Sequence, residues 1–489
     1  MNPAISLVDS AIVVAYLGCV LALGIWVGRG KKSLDEYLLG GRDLPWWAIL
    51  GSIVATETST ATFLSVPAIA FATGGDLQFL QLTFGYIIGR WIVVVTLLPL
   101  FFRGRLLSAY EVLEQRFGSL TKQTASMMFL ITRNLGDGLR LFLTAIVLEK
   151  SVGLPLPLSV VVIGVVTIVY TFFGGMKSVV WNDCLQFIIY IAGGIVALLL
   201  ILQQLPGGWQ QFWDFGVTTG RFQLFNFDFN FTEKYTIWSG VIGGIFLSLG
   251  THGTDQMMVQ RYLSARSQRD AGRALGLSGF VVLVQFALFL FVGIGLAAFY
   301  QQYPPTSPFQ HGDSVFAHFI VTRMPTGIMG LTLAAVIAAA MSTLSSSLNS
   351  SATAALNDLY LPRKGPAFSG NAVSISRVLT ILFGIVQIGV GIAAARISQN
   401  VVEDALAIAG FVGGIMLGVF ALAVYAHRTQ QRDALVGILT GALVVSFVKF
   451  GTPIAWPWYS VIGAASTIAG AWGSTLLQRR PHHKWDWAE

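Results

Sequence analysis

Charge is what this sequence has little of. Only 11% of its 489 residues are Asp, Glu, Lys or Arg, where a soluble protein carries about 25%. A chain so poor in charge, 54% hydrophobic and with a mean hydropathy of +0.70, is excluded as a soluble enzyme, a disordered protein or a nucleic-acid binder. Cysteine is nearly absent. Cys19 and Cys184 both lie in apolar stretches, so neither a disulfide framework nor a metal cluster is implied. The opening MNPAISLVDS holds no Lys or Arg. A secretory signal begins with a basic region, so the first apolar run is expected to remain as a span. No GxxxxGK[ST], HExxH or GxSxG motif occurs. Without a nucleotide site, any pumping must draw on an ion gradient.

What is present is a succession of apolar runs, together with 53 glycines that suit close helix approach in a membrane. The runs read 7–27, 45–72, 78–102, 123–148, 155–173, 180–204, 236–259, 275–300, 326–357, 375–395, 402–426, 434–450 and 458–477. Each approaches or exceeds the roughly 20 residues that cross a bilayer core, which predicts an all-α polytopic membrane protein of about thirteen transmembrane helices. An odd number puts the termini on opposite sides. With alternate loops from 28–44 onward assigned to the cytoplasm, that side collects 21 of the 30 Lys and Arg. Among them are Arg29, Lys31, Lys32, Lys177, Arg261, Arg266, Arg479, Arg480 and Lys484. The opposite loops hold only Lys150, Arg221, Lys234, Arg323 and Arg396. The positive-inside bias predicts an outside N-terminus and an inside C-terminus, and most of the net charge of +7 is explained by it. The aromatic-rich loop at 205–235 suits interfacial anchoring.

Polar groups within a span are costly and usually functional, and four clusters stand out. Ala55-Thr-Glu57-Thr-Ser59-Thr-Ala-Thr62 lies in mid-span. It reads either as a broken helix, whose freed carbonyls and hydroxyls bind ion and solute, or as hydroxyls bonded back to their own helix. Gly250-Thr-His252-Gly253-Thr-Asp255-Gln256 repeats the pattern in the seventh span, with two glycines that suggest unwound backbone. The stretches 45–204 and 236–426 each hold five helices and each begin with an interrupted one. Such corresponding breaks mark an inverted-repeat transporter. In the ninth span Ala339, Ser342 and Thr343 share one helical face, as do Ser342, Ser345 and Ser346. These are oxygen ligands for hard cations or small residues for helix packing. Asp183 heads a hydrophobic span and wants a cation, with Lys177 as a purely structural alternative.

The chain resembles the sodium/solute symporter family, which includes the sodium/glucose cotransporters, the proline permease and bacterial sialic acid symporters. The resemblance rests on Gly40-Gly-Arg-Asp-Leu-Pro-Trp46, Glu111-Val-Leu-Glu-Gln-Arg-Phe-Gly118, Thr171-Phe-Phe-Gly-Gly-Met-Lys177 with Asp183 and Gln186, Gly253-Thr-Asp-Gln-Met-Met-Val-Gln-Arg-Tyr262, Ser342-Thr343 through Asn349-Ser350, and Asp358-Leu-Tyr360. It implies a LeuT-type fold of five-plus-five inverted repeats. On that reading 1–44 is an extra helix and cytoplasmic loop, 45–204 the first repeat, 205–235 an extracellular loop, 236–426 the second repeat, and 427–489 two further helices with a short tail. It also implies a first sodium site at Ala55, Thr58, Ala339, Ser342 and Thr343, and a second at Asp183, Ser342, Ser345 and Ser346. For the solute it suggests Ser59, Thr62, Gln81 and His252, with Arg133, Asp137 or Arg140 from the fourth span. Either arginine is a candidate for a solute carboxylate. Glu57 and Asp137 depart from a simple anion site, either neutralising those arginines or receiving a cationic group.

The expected function is sodium-coupled symport of a small polar organic solute by alternating access, the solute carboxylate-bearing, such as an acidic sugar or amino acid. The alternatives are a neutral-sugar symporter and a non-transporting sensor. About a dozen residues after the last apolar run are expected to be too few for a signalling domain. The expected partners are the solute, sodium and the bilayer of the cell membrane (the cytoplasmic membrane, if bacterial), with no nucleic acid and no obligate protein partner.

Overall fold

Hydroxyl side chains compete with a helix for its own backbone hydrogen bonds, and the run at 55–62 shows the outcome. The computed structural model describes residues 5–30, 33–305, 309, 312–365, 370–394 and 401–477. In it the first apolar run forms α1 (Leu7–Val27). The second forms two helices, α2 (Trp46–Glu57) and α3 (Thr60–Phe71), bent by 61°. Between them Thr58 (φ −84°, ψ 101°) and Ser59 (φ −97°, ψ 174°) are extended.

Next come α4 (Gln81–Thr96), α5 (Ser119–Val152) and α6 (Leu156–Gln204). The 49 residues of α6 would run about 75 Å at 1.5 Å per residue, against a hydrocarbon core of about 30 Å. Gly175 divides it, at φ +59°, ψ −154°, a region essentially closed to other residues. A Cβ there would also meet the Tyr37 carbonyl oxygen at 2.3 Å.

After α7 (Gly208–Thr218), in the long aromatic loop, the second interruption separates α8 (Gly244–Thr254) from α9 (Gln256–Leu263). It does not fall at the glycines, as their placement suggested, but at Asp255 (φ −81°, ψ 125°). There the side chain accepts from Met257 N at 2.8 Å and caps α9. The remaining long helices are α10 (Gln268–Gln302), α11 (Ile328–Ala354), α12 (Ala372–Ala394), α13 (Val401–Tyr425), α14 (Gln431–Gly451) and α15 (Tyr459–Leu477). Gly250 and Gly253 serve packing instead of unwinding. A Cβ on Gly250 would stand 2.7 Å from the Gly413 carbonyl of α13, and one on Gly253 2.5 Å from Leu97.

Nine of the described helices are long and apolar enough to cross a membrane, or ten with the bent pair counted. The charge-bearing α5 and the interrupted α8–α9 are not among them. No strand occurs among the described residues, and the isolated bridge Leu44–Ala265 joins the approach to α2 with the exit of α9. Lys31, Lys32, Arg396, Arg479, Arg480, Lys484 and the tail beyond Leu477 lie outside the described residues.

The centre of the bundle is α11, buried almost throughout. Its Ala, Ser and Thr composition lets α1, α5, α6 and α12 pack closely around it. Asp9 of α1 accepts from the backbone N–H groups of Gly327 and Gly330, both at 2.7 Å, and so satisfies otherwise free donors at the start of α11.

Candidate functional site

Where α2 ends, its last carbonyls have no intrahelical partner, and the hydroxyl face of α11 meets them. Ser342 Oγ donates to the carbonyls of Ala55 (2.9 Å) and Ala339 (3.2 Å). Thr343 Oγ1 donates to those of Thr56 (3.1 Å) and Ala339 (3.4 Å). Four of the five first-site residues therefore converge, joined by Thr56. Thr58, the fifth, is buried at the break and its Oγ1 accepts from Gln285 Nε2 at 2.5 Å.

Asp183 is fully buried, and its partner is Arg261 of α9 rather than the exposed Lys177. Its Oδ2 accepts from Ser52 (2.5 Å), Thr56 (3.3 Å), Arg261 Nη2 (3.2 Å) and Ser346 (3.5 Å), while Oδ1 has no hydrogen-bond partner. The Arg261 guanidinium also donates to Thr56 and Ser346. Ser346 is thus the serine of the second set that reaches Asp183. Ser342 turns to Ala55, and Ser345 donates to the Ser342 carbonyl at 3.2 Å. Arg261, expected among the cytoplasmic loop charges, instead has its side chain sealed inside the bundle, 1% exposed.

Beside the break lies a cavity of about 360 Å³, within the range of small-molecule sites. Ser59, Thr62, Arg133, Asp137, Arg140 and His252 all line it. Gln81 does not. It is buried against the long loop, donating to the carbonyls of Gln78 and Tyr235 (both 3.1 Å) and accepting from Asn226 N (3.1 Å). Its role here is to hold that loop.

Three carboxylate–guanidinium pairs border the cavity. Glu57 is bound by Arg90, whose Nη1 also donates to Ser278 at 2.6 Å. His252 Nε2 stands 3.6 Å from Glu57, and its Nδ1 is 2.9 Å from the Tyr262 hydroxyl. Asp137 accepts from Arg140 at 2.5 Å, and Arg133 is bound by Asp255. Cross-links rank the two arginines along α5. Thr144, one turn past Arg140, bonds to Thr60 just after the break (2.7 Å). Asn134, adjacent to Arg133, bonds instead to Ser351 (3.3 Å) and through Gln387 to Ser347. Arg140 is therefore level with the break, and Arg133 about two turns, or ~10 Å, further along the helix.

Arg90, Asp255 and Arg261 acquire these partners without a place in the solute or sodium sites expected from sequence. The available signal was their setting: an arginine inside an apolar run, and two charges within Gly253–Tyr262.

The sequence profile described as the sodium:solute symporter family matches residues 37–441. The sodium/sialic acid symporter NanT of Aliivibrio fischeri is 30% identical over 93% of this chain and 90% of its own length. SiaT of Proteus mirabilis, also a sodium/sialic acid symporter, is 29% identical over 94% and 93%. A solved substrate-bound, outward-open Na+-coupled sialic acid symporter superposes with a TM-score of 0.89 at 28% identity, covering 96% of this chain and 98% of that one. The chain belongs to the sodium:solute symporter family: it is a multi-pass membrane transporter, not an enzyme, and sodium is its coupling ion.

Proposed function

We propose that this symporter imports a small carboxylate-bearing solute, an acidic sugar of the sialic acid kind, and that Arg140 grips the carboxylate. The observation that carries this is the position of Arg140. It lines the cavity at the level of the helix break, as Ser59 and Thr62 do, and its Nε has no hydrogen-bond partner. Arg133, paired with Asp255, lies about two turns further along α5. The sialic acid relatives support the same solute class. The direct test is sodium-gradient-driven uptake of sialic acid by the purified protein in liposomes. Uptake indifferent to the sodium gradient, or outcompeted by a neutral sugar of similar size, would defeat the reading.

The first sodium ion is assigned to Ala55, Thr58, Ala339, Ser342 and Thr343, and a second to Asp183, Ser342, Ser345 and Ser346. Hydroxyl and carbonyl oxygens suit a hard cation, and the unpartnered Asp183 Oδ1 offers the second ion a charged ligand. His252 joins the solute site through Glu57. Ser342→Ala and Thr343→Ala should each raise the sodium concentration for half-maximal uptake about 5- to 100-fold, and by linkage weaken apparent solute affinity at fixed subsaturating sodium. Unchanged sodium dependence in both would leave these side chains a packing role alone.

The architecture proposed is the LeuT-type five-plus-five inverted repeat, with repeats at 45–204 and 236–426, thirteen spans, the N-terminus outside and the C-terminus inside. The two broken helices at equivalent places and the basic-residue bias support it. No obligate protein partner is part of the proposal. A reporter fused after Glu489 should be cytoplasmic and a tag at the N-terminus external. Both on one face would dismiss the thirteen-span topology.

A further inference from the structure

Asp137 sits between two guanidinium groups. Its Oδ1 accepts from Arg140 Nη1 at 2.5 Å, while Oδ2 lies 3.9 Å from Arg133 Nη1 and has no hydrogen-bond partner. Arg133 in turn is bound through Nη2 to Oδ2 of Asp255. Asp255 is the break residue between α8 and α9, and its other oxygen caps α9. The chain Arg140–Asp137–Arg133–Asp255 thus runs from the level of the helix break to the joint of the second broken helix, and α9 carries Arg261 on to Asp183.

Resting on the proposed solute site, we propose that Asp137 is a positioning residue that converts solute arrival at Arg140 into release of α9. Two guanidiniums here serve two carboxylates. A solute carboxylate is a third, so one of the three must give up its pairing. Asp137 has no exposed surface and no other charged partner described, whereas Asp255 is 19% exposed at its side chain and keeps the Met257 N–H. An unpaired charge is more costly the more deeply it is buried, so Asp255 is the group that yields. The solute takes Arg140, Asp137 closes its 3.9 Å gap to Arg133, and the hold on the α8–α9 joint is lost. Charge is conserved throughout and no proton moves.

The test separates binding from movement. Sialic acid is the probe, and Met258→Cys on α9, at the cavity wall, reports movement through its rate of thiol labelling in a background lacking Cys19 and Cys184. In that parent, sialic acid should speed labelling. Adding Asp137→Asn removes the carboxylate that competes with the solute for Arg140, so the equilibrium affinity for sialic acid should be equal or tighter while the maximal uptake rate falls at least about tenfold, a loss confined to the later step, and the labelling response should be abolished. Asp137→Glu, which restores the charge, should recover part of both. Asp137→Asn at the parent's maximal rate, or losing affinity in step with rate, overturns the proposal.

A second arm needs no solute. Asp255→Asn keeps the α9 cap but frees Arg133, and should speed Met258→Cys labelling by itself. Unchanged labelling there overturns the relay. Intact carboxylate affinity in Arg140→Gln would instead overturn the solute site, leaving the Asp255→Asn arm to decide whether the pair holds α9.

Discussion

Arg140→Gln should raise the solute concentration for half-maximal uptake of a carboxylate by roughly 10- to 150-fold. A charge-assisted hydrogen bond contributes about 1.5–3 kcal/mol, and each 1.4 kcal/mol is about tenfold in affinity. Glutamine keeps much of the side-chain length and a donor, so the change isolates the charge and the forked geometry. Arg133→Gln should behave differently, because Arg133 lies about two turns along α5 and is bound to Asp255. Its effect should fall on maximal rate more than on half-saturation. Uptake curves normalised to the amount of protein in the membrane make the comparison. Should Arg140→Gln retain its affinity while Arg133→Gln loses it, the assignment of the two arginines is reversed. Retained affinity in both variants excludes a carboxylate grip on this helix.

Asp183→Asn is expected to have the largest effect on stability. Removing one member of a buried ion pair leaves the other charge uncompensated and costs about 3–5 kcal/mol. Arg261 is only 1% exposed, with hydroxyls and the Met257 carbonyl as its remaining acceptors. The double variant Asp183→Asn/Arg261→Gln removes both charges and should recover most of that loss in a thermal-unfolding measurement. Recovery of the fold should not restore the second ion. With two coupled sodium ions the wild type rises sigmoidally with sodium, and the stable double variant should give a less steep curve. Lys177→Ala should leave both stability and sodium dependence unchanged, since Lys177 is exposed and Asp183 is paired with Arg261. A hyperbolic wild-type curve together with an active, stable Asp183→Asn protein would remove the second site. The first would stand, because Ser342 and Thr343 contact the α2 carbonyls without involving Asp183.

The broken helices were legible in the residues because their cause is local. Hydroxyls crowded at 55–62 compete with the backbone over a few residues, and the interruption at Thr58–Ser59 follows. The neighbouring polar run was legible as an interruption but not in its place. Glycine reads as unwinding when only the chain is considered, whereas Gly250 and Gly253 are kept bare by the Gly413 carbonyl and Leu97 pressing on them. The shared faces of α11 were likewise legible, since helical spacing alone puts Ser342 beside Thr343.

Partners of charge were another matter. A carboxylate in a span announces that it needs a cation but not which one, and a nearby lysine in sequence is a natural guess. Asp183 found Arg261, 78 residues away, and Glu57 found Arg90, 33 away. Hydropathy places Arg261 at a helix end, where a basic residue normally orients the chain, and gives no sign that α9 folds inward. Gln81, a plausible solute ligand by position, is consumed by Tyr235 and Asn226 of a distant loop. The sequence by itself determined that this chain crosses a membrane, that two of its helices are interrupted and which face of α11 carries hydroxyls, because short-range chemistry and helical periodicity decide those. Only the tertiary structure decided which guanidinium meets which carboxylate, Arg133 with Asp255, Arg90 with Glu57 and Arg261 with Asp183, because buried charges pair across helices that are distant in the chain and adjacent only in the fold.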